Sequence, residues 1–226
     1  MTVRRTIARI RWRTVALAAA AILVVVILGL GLAATRRPAW YQPAPVDQTR
    51  LRDDKRDLVG LLDGIGAALN ERRGIGFRLD EAQVNRWLAA RAEMWPDSAI
   101  DLGPLRDPQI SFQGDRIRAA ALIENGDLRA VVSLTCRVQV SDERVVIEWE
   151  SARLGALPVP RSWLSRWITS AGSGGRVVRQ ADGRGTVAFE NDWIWPNGKR
   201  RYRLSTLRIT DGAADVSLEP LPGSRW

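Results

Sequence analysis

The chain contains no histidine, and that absence removes more chemistry than any motif in it supplies. Without an imidazole there is no serine–histidine or cysteine–histidine catalytic set. Cysteine is almost as scarce, since Cys136 stands alone among 226 residues. One thiol excludes an intramolecular disulfide, and with no histidine beside it no histidine/cysteine zinc site can form. Lysine is reduced to Lys55 and Lys199 against 32 arginines, a bias that reads as base composition rather than ligand choice. Lys199 follows a Pro-Asn-Gly turn, where the burial that lowers an amine pKa for serine–lysine catalysis is not expected.

The remaining candidates for chemistry are thin. Gly64-Ile65-Gly66 and Gly172-Ser173-Gly174 fail the dinucleotide and nucleophile-elbow patterns and read as packing or hinge glycines. Glu148 and Glu150 stand two apart on a predicted strand, ~6.6 Å along it, a spacing that suits paired acid/base work but equally a solvated strand face. The solvated face is the expectation. No catalytic residue, metal ligand or cofactor is assigned, and the chain is not expected to be an enzyme.

What the chain does have is an uncharged run of 20 residues, Val15 to Ala34. As a helix it would be ~30 Å long, the thickness of a bilayer's hydrocarbon core. Arg4, Arg5, Arg9, Arg11 and Arg13 precede it with no acidic residue among them, so the positive-inside bias puts the N-terminus in the cytoplasm. The expected organisation is a basic cytoplasmic tail (1–14), a single-pass transmembrane helix in the inner membrane (15–34), a Pro-rich linker (35–46) and a periplasmic or extracytoplasmic domain (47–226). Gly31-Leu32-Ala33 also satisfies a signal-peptidase site, although the run exceeds the ~7–15 apolar residues of a signal peptide, so a retained signal-anchor is the expectation and cleavage the alternative. The net charge of +9 falls to +4 beyond the run, where 29 basic face 25 acidic residues. No basic stretch with interleaved aromatics accompanies it, so nucleic acid is not expected as a partner.

Pro38, Pro43 and Pro45 favour an extended linker, and Trp40 and Tyr41 suit a membrane interface. Leu51, Leu58, Leu62, Ile65 and Leu69 recur at helical spacing and predict a helix from about 46 to 72, weakened by Gly60, Gly64 and Gly66. Phe77 to Leu79 reads as a short strand leading into a helix with Asp80 as N-cap and Gln83 closing a capping box. From Asp107 to Leu154 the period changes to two, with turns at Gly114-Asp115 and Asn125-Gly126-Asp127. The segment Leu128 to Val140 alone predicts a strand of 13 residues, ~43 Å at ~3.3 Å each. A helix follows at Arg161 to Ser170, then strands at Thr186 to Glu190, Tyr202 to Thr210 and Ala213 to Glu219. Cys136 falls on the apolar face of the long strand, as a small buried hydrophobe. The expected class is α+β, with a long, curved antiparallel sheet wrapped on one or more helices, the two strand groups joining in a single sheet.

The single anchor, the helix start Leu-Asp-Glu-Ala-Gln-Val-Asn-Arg-Trp-Leu (79–88), the long strands and Gly-Ala-Leu-Pro-Val-Pro ahead of a tryptophan-bearing helix (155–168) resemble the YpmS-like group of membrane-anchored bacterial domains. More distantly the pattern is similar to the tubular lipid-binding (TULIP) superfamily. That resemblance, over roughly residues 47–220, implies a curved sheet around a helix with an apolar groove for acyl chains, and carries no catalytic residues.

Ten tryptophans against three phenylalanines and two tyrosines are the last anomaly. Trp163 and Trp167 share a predicted helix face, Trp193 and Trp195 alternate, and Trp87 sits on the helix after Asp80. These five are the candidate apolar ligand or membrane contacts, with core packing as the alternative. Two functions stay open. One is a membrane-tethered domain binding lipid or another amphiphile in an apolar groove. The other is a structural scaffold binding a protein partner of the cell envelope.

Overall fold

The structure is a computed structural model that describes residues 20–94, 105–126, 128–160, 177–181, 186–195 and 200–222. Residues 20–35 form α1, the described part of the apolar run, and Val15 to Ala19 lie outside the described residues. Among the described residues no helix is long and apolar enough to cross a membrane. The large apolar side chains from Ile22 to Leu32 on α1 are 49% to 74% exposed.

Helix α2 (Leu51–Asn70) starts later than the periodicity predicts. Asp47 accepts hydrogen bonds from the amide and hydroxyl of Thr49, holding a turn that delays helix entry. Of the expected apolar stripe Leu58, Ile65 and Leu69 are buried, with Ala68 beside them, whereas Leu62 is 38% exposed. Gly66 brings α2 close to Trp195, whose Nε1 would lie 3.2 Å from an added Cβ, whereas Gly60 and Gly64 face open space.

The strands form two antiparallel sheets rather than one wrapped sheet. After β1 (Ile75–Asp80) come α3 (Glu81–Ala89) and the short α4 (Arg91–Met94). Four strands follow in succession: β2 (Leu105–Gln113), β3 (Arg116–Asn125), β4 (Leu128–Val140) and β5 (Arg144–Leu154). The two-residue β6 (Leu157–Pro158) precedes β7 (Val177–Ala181), β8 (Thr186–Glu190) and β9 (Trp193–Ile194), and the chain closes with β10 (Arg201–Thr210) and β11 (Ala213–Pro220). The smaller sheet has the order β1-β11-β10-β9, the larger β2-β3-β4-β5-β8-β7 with β6 on the end of β5. The split arises because β1 pairs with β11, Ile75 opposite Leu218, and so draws the C-terminal hairpin away from the central meander. Strand β4 has the expected 13 residues, and the predicted helix at Arg161 to Ser170, with Trp163 and Trp167, lies outside the described residues.

Apolar alternation explains how the layers join. Ile75 and Phe77 of β1, Val216 and Leu218 of β11, and Tyr202 and Leu204 of β10 face α2 through Ile65 and Leu69. A neighbouring cluster joins Leu58 of α2 to Trp87, Ala90 and Met94. The two sheets are stitched by Asn191, which is buried. Its Nδ2 donates to the carbonyls of Ser141 and Leu204 at 2.7 Å each, and its Oδ1 accepts from Leu204 N at 2.8 Å. At the opposite end Gly212 N donates to Phe112 O.

The predicted capping box is absent. Asp80 occupies the N-cap without a side-chain cap bond and instead lies 3.5 Å from Arg78. Glu81 N donates to the carbonyl of Gly212, which satisfies the helix start from another element. The first turns of α3 serve edge strand β2: Asn85 accepts from Ile110 N and donates to Ile110 O, both at 2.8 Å, and Glu81 accepts from Phe112 N at 2.7 Å. Side chains thus occupy backbone groups that an open sheet edge would otherwise offer to another chain.

Candidate functional site

The segment after α1, expected as a linker, is a strap held on the larger sheet. Tyr41 is buried against Ala120, Leu122 and Val131, with Trp40 packed beside it. Its hydroxyl donates to Asp107 O at 2.8 Å, and burial, with Asp107 second, pushes its pKa up to about 12. Tyr41 is therefore a core residue, not an interface aromatic. Asp107 has φ 47, within the register shift between Arg106 and Gln109 that interrupts β2 beneath the strap. Gln109, also buried, accepts from Gln42 N and donates to Trp40 O.

The end of α1 is fixed to the same sheet. Ala156 N donates to Ala33 O at 2.8 Å, and Gly155 N donates to Val131 O at 2.7 Å. Gly155 has φ 59, a conformation that favours glycine, and a Cβ there would lie 2.5 Å from Ala33 O, against backbone on that side. The Gly155-Ala156 turn after β5 is thus the seat on which α1 ends.

Between strap and sheet lies a cavity of about 530 Å³. Its floor comes from two cross-strand rows of β3, β4 and β5: Arg118, Thr135 and Ser151 in one, and Ser133 and Arg153 in the next. Arg36 to Trp40 form the roof and Gly155-Ala156 one wall. Arg118 stacks over Trp40, 5.0 Å from the ring centroid, and donates to Gln113 at 2.7 Å. Among the described residues no acidic side chain lines the cavity, and none of Arg36, Arg37, Arg118 and Arg153 pairs with a carboxylate.

The adjoining row of the same face is neutralised. Arg116 and Arg137 reach Glu150 at 2.7 and 3.2 Å, and Arg137 also binds Asp115 at 2.7 Å. The hydrogen bond from Arg137 holds the Asp115 carboxyl below the usual carboxylate range. Glu150 falls at the register shift between Thr135 and Cys136, which aims it at these arginines while Glu148 stays exposed. The two glutamates are not a matched acid/base pair.

Of the five tryptophans singled out from the sequence, the three that are described, Trp87, Trp193 and Trp195, do not line this cavity. Trp87 is 8% exposed in the cluster with Leu58, Ala90 and Met94. Trp195 packs edge-on to Tyr202 in the α2 cluster. Trp193, on the outer strand β9, is 36% exposed with its Nε1 donating to Asn191, and Trp163 and Trp167 lie outside the described residues. Burial pushes the Cys136 thiol up to about 11, so it stays protonated on the apolar side of β4. Among the described residues no three histidine, cysteine, aspartate or glutamate side chains cluster to hold a metal ion. The arginines of the cavity had one sequence signal, Arg36-Arg37 directly after the apolar run, with Ser133 and Thr135 interrupting an apolar strand.

The chain matches no family model, no curated protein and no solved structure.

Proposed function

We propose that the chain is a single-pass, membrane-anchored extracytoplasmic domain that binds lipid or another amphiphile without covalent chemistry. The observation that carries this reading is the seat of α1. An apolar helix with exposed side chains ends in a hydrogen bond from Ala156 to Ala33, so the larger sheet begins where the helix stops. Exposed apolar surface on that scale is costly in water and stable in acyl chains, at roughly 25 cal/mol per Å². In this reading the run from Val15 to Ala34 spans the inner membrane and the sheet stands on its outer surface. The apolar side of β3, β4, β5 and β8, with half-buried Ile117, Leu134, Val138 and Ile147, is the wall for acyl chains. Register shifts interrupt β2, β5 and β7, and such bulges bend a strand and raise its local twist. The resemblance to the YpmS-like group and, beyond it, to tubular lipid-binding domains belongs to the same reading.

Native mass spectrometry of the full chain, released from detergent micelles after delipidation and re-addition of total membrane lipid, tests it. Retention of about one lipid per chain is the expected result. A bare protein mass at every lipid concentration overturns lipid binding. The second reading, a scaffold for an envelope protein, rests on β9, where Trp193 and Ile194 are 36% and 45% exposed at the outer edge of the smaller sheet. A bare mass together with a stoichiometric protein partner cross-linked at Ile194 favours it.

A further inference from the structure

We propose that the cavity under the strap is an oxyanion site that binds the phosphate of a phosphate-bearing ligand, with the guanidinium groups of Arg118 and Arg153 on the floor and those of Arg36 and Arg37 from the roof. The inference deepens the lipid-binding reading by naming the headgroup chemistry, and it rests on that reading only for the ligand's source.

The charge distribution carries it. Four arginines contributed by three separate stretches of chain converge on one cavity, and no carboxylate of the described residues lines it. One row away on the same sheet face, Arg116 and Arg137 are paired with Glu150 and Asp115. The sheet therefore neutralises its arginines where they adjoin the cavity and, among the described residues, sets no carboxylate against them inside it. Bringing like charges together costs free energy that an anion recovers, and arginine's planar fork matches phosphate oxygens two at a time.

The neutral lining fits the same ligand. Ser133, Thr135 and Ser151 stand side by side on the floor, and none of their hydroxyls bonds another described side chain. Hydroxyls supply donors to a phosphate that the arginines leave open. Arg118 and Arg153 are two strands apart, about 10 Å across the sheet, so both reach one group from opposite sides. A cavity of about 530 Å³ holds a phosphate together with the polar group it esterifies. Pro38, Ala39 and Ala156 add an apolar rim at the end of α1, so an amphiphile with its chain beside that helix would bring its headgroup here.

The test uses the full chain and the double variant Arg37→Gln/Arg153→Gln. Both side chains are exposed, and a melting temperature no lower than that of the wild type confirms that the variant folds. Arg52→Gln/Arg208→Gln, with the same net charge and both residues exposed away from the cavity, is the control. In the first arm the protein sits in nanodiscs of phosphatidylcholine with or without one tenth phosphatidic acid, and lipid retained on detergent extraction is counted by native mass spectrometry. In the second, calorimetry follows pyrophosphate binding to delipidated protein in neutral detergent. A lipid headgroup predicts preferential retention of phosphatidic acid by the wild type and the control, and a loss of at least about tenfold in the cavity variant. Pyrophosphate binding lost in the cavity variant, with no lipid preference, upholds the phosphate site and assigns it a soluble ligand, which refutes the lipid source alone. Equal loss in both double variants, or no binding in either arm, overturns the site.

Discussion

Replacing Gly155 with alanine tests whether α1 and the sheet form one unit. The residue sits at φ 59, and left-handed backbone costs a non-glycine residue roughly 1–2 kcal/mol. A Cβ at this position would also press on the carbonyls of Ala33 and Ala34, backbone atoms that no rotamer change can move. The contact is relieved only if the end of α1 lifts from its seat, which breaks the bond from Ala156 N to Ala33 O at a further cost of about 1 kcal/mol. The sum is about 2–3 kcal/mol, or roughly 5–10 °C in melting temperature for a domain of this size. Gly114→Ala isolates the backbone share, because Gly114 has φ 60 with nothing within 4 Å of an added Cβ. It is expected to cost only the strain, roughly 1–2 kcal/mol. Thermal melts in detergent give the two values, and amide exchange at Ala156 reports the seat directly. Gly155→Ala should melt below Gly114→Ala and exchange Ala156 quickly. Equal melting temperatures with a protected Ala156 amide would refute the docking of α1.

Three further predictions concern the framework that carries the cavity. Asn85→Ala leaves Ile110 N and O without their partner on the edge strand and should lower unfolding stability by about 2 kcal/mol in urea titrations; an unchanged midpoint would show that the edge is satisfied without α3. Asn191→Ala removes three backbone contacts of a buried amide that joins the two sheets, and should cost about 3 kcal/mol by the same measurement. Tyr41 has a folded pKa raised by burial from 10 to about 12, so its neutral form adds stability that is complete below pH 10 and is lost as pH rises toward 12. Tyr41→Phe should therefore flatten the fall in melting temperature across that window, while Tyr202, also raised by burial, remains in both proteins. Parallel curves for the two proteins between pH 9.5 and about 12 would show that Tyr41 ionises as freely as in the unfolded chain.

Local periodicity made the elements legible. The two-residue alternation of Leu128 to Val140 gives β4, and the stripe from Leu51 to Leu69 gives α2. What periodicity cannot supply is the partner of an element. Ile75 pairs with Leu218 across almost the whole described domain, and only tertiary burial of Phe77 and Val216 against α2 selects that pairing. Glu81 and Asn85 look in sequence like the first turn of a capped helix, yet their side chains are claimed by Phe112 and Ile110, backbone groups that lie in another strand. Tyr41 departs from its sequence expectation for the same reason. An aromatic after an apolar run suits a membrane interface by its chemistry, and only the register shift beneath it, with Asp107 O turned toward its hydroxyl, makes the sheet the better site.

The cavity is the extreme case of this dependence on partners. Arg118 and Arg153 are 35 positions apart and reach adjacent rows of one cavity only because β3, β4 and β5 pair in one particular register. A slip of one residue on β5 would turn Arg153 to the apolar side and Leu154 into the cavity, so the site exists only in the register that sets Ser133 opposite Arg153 and Thr135 opposite Ser151, one residue offset across the shift at Glu150 from the pairing of Cys136 with Trp149. The seat of α1 adds a second condition, because Arg36 and Arg37 reach the cavity only while Ala33 is held by Ala156. The phosphate site and the helix seat are therefore coupled. A ligand that bridges roof and floor must tighten the seat by the same free energy that the seat lends to its binding, so Gly155→Ala is expected to weaken pyrophosphate binding although residue 155 supplies no charge. Undiminished binding in a Gly155→Ala protein whose Ala156 amide exchanges freely would show that the roof arginines take no part.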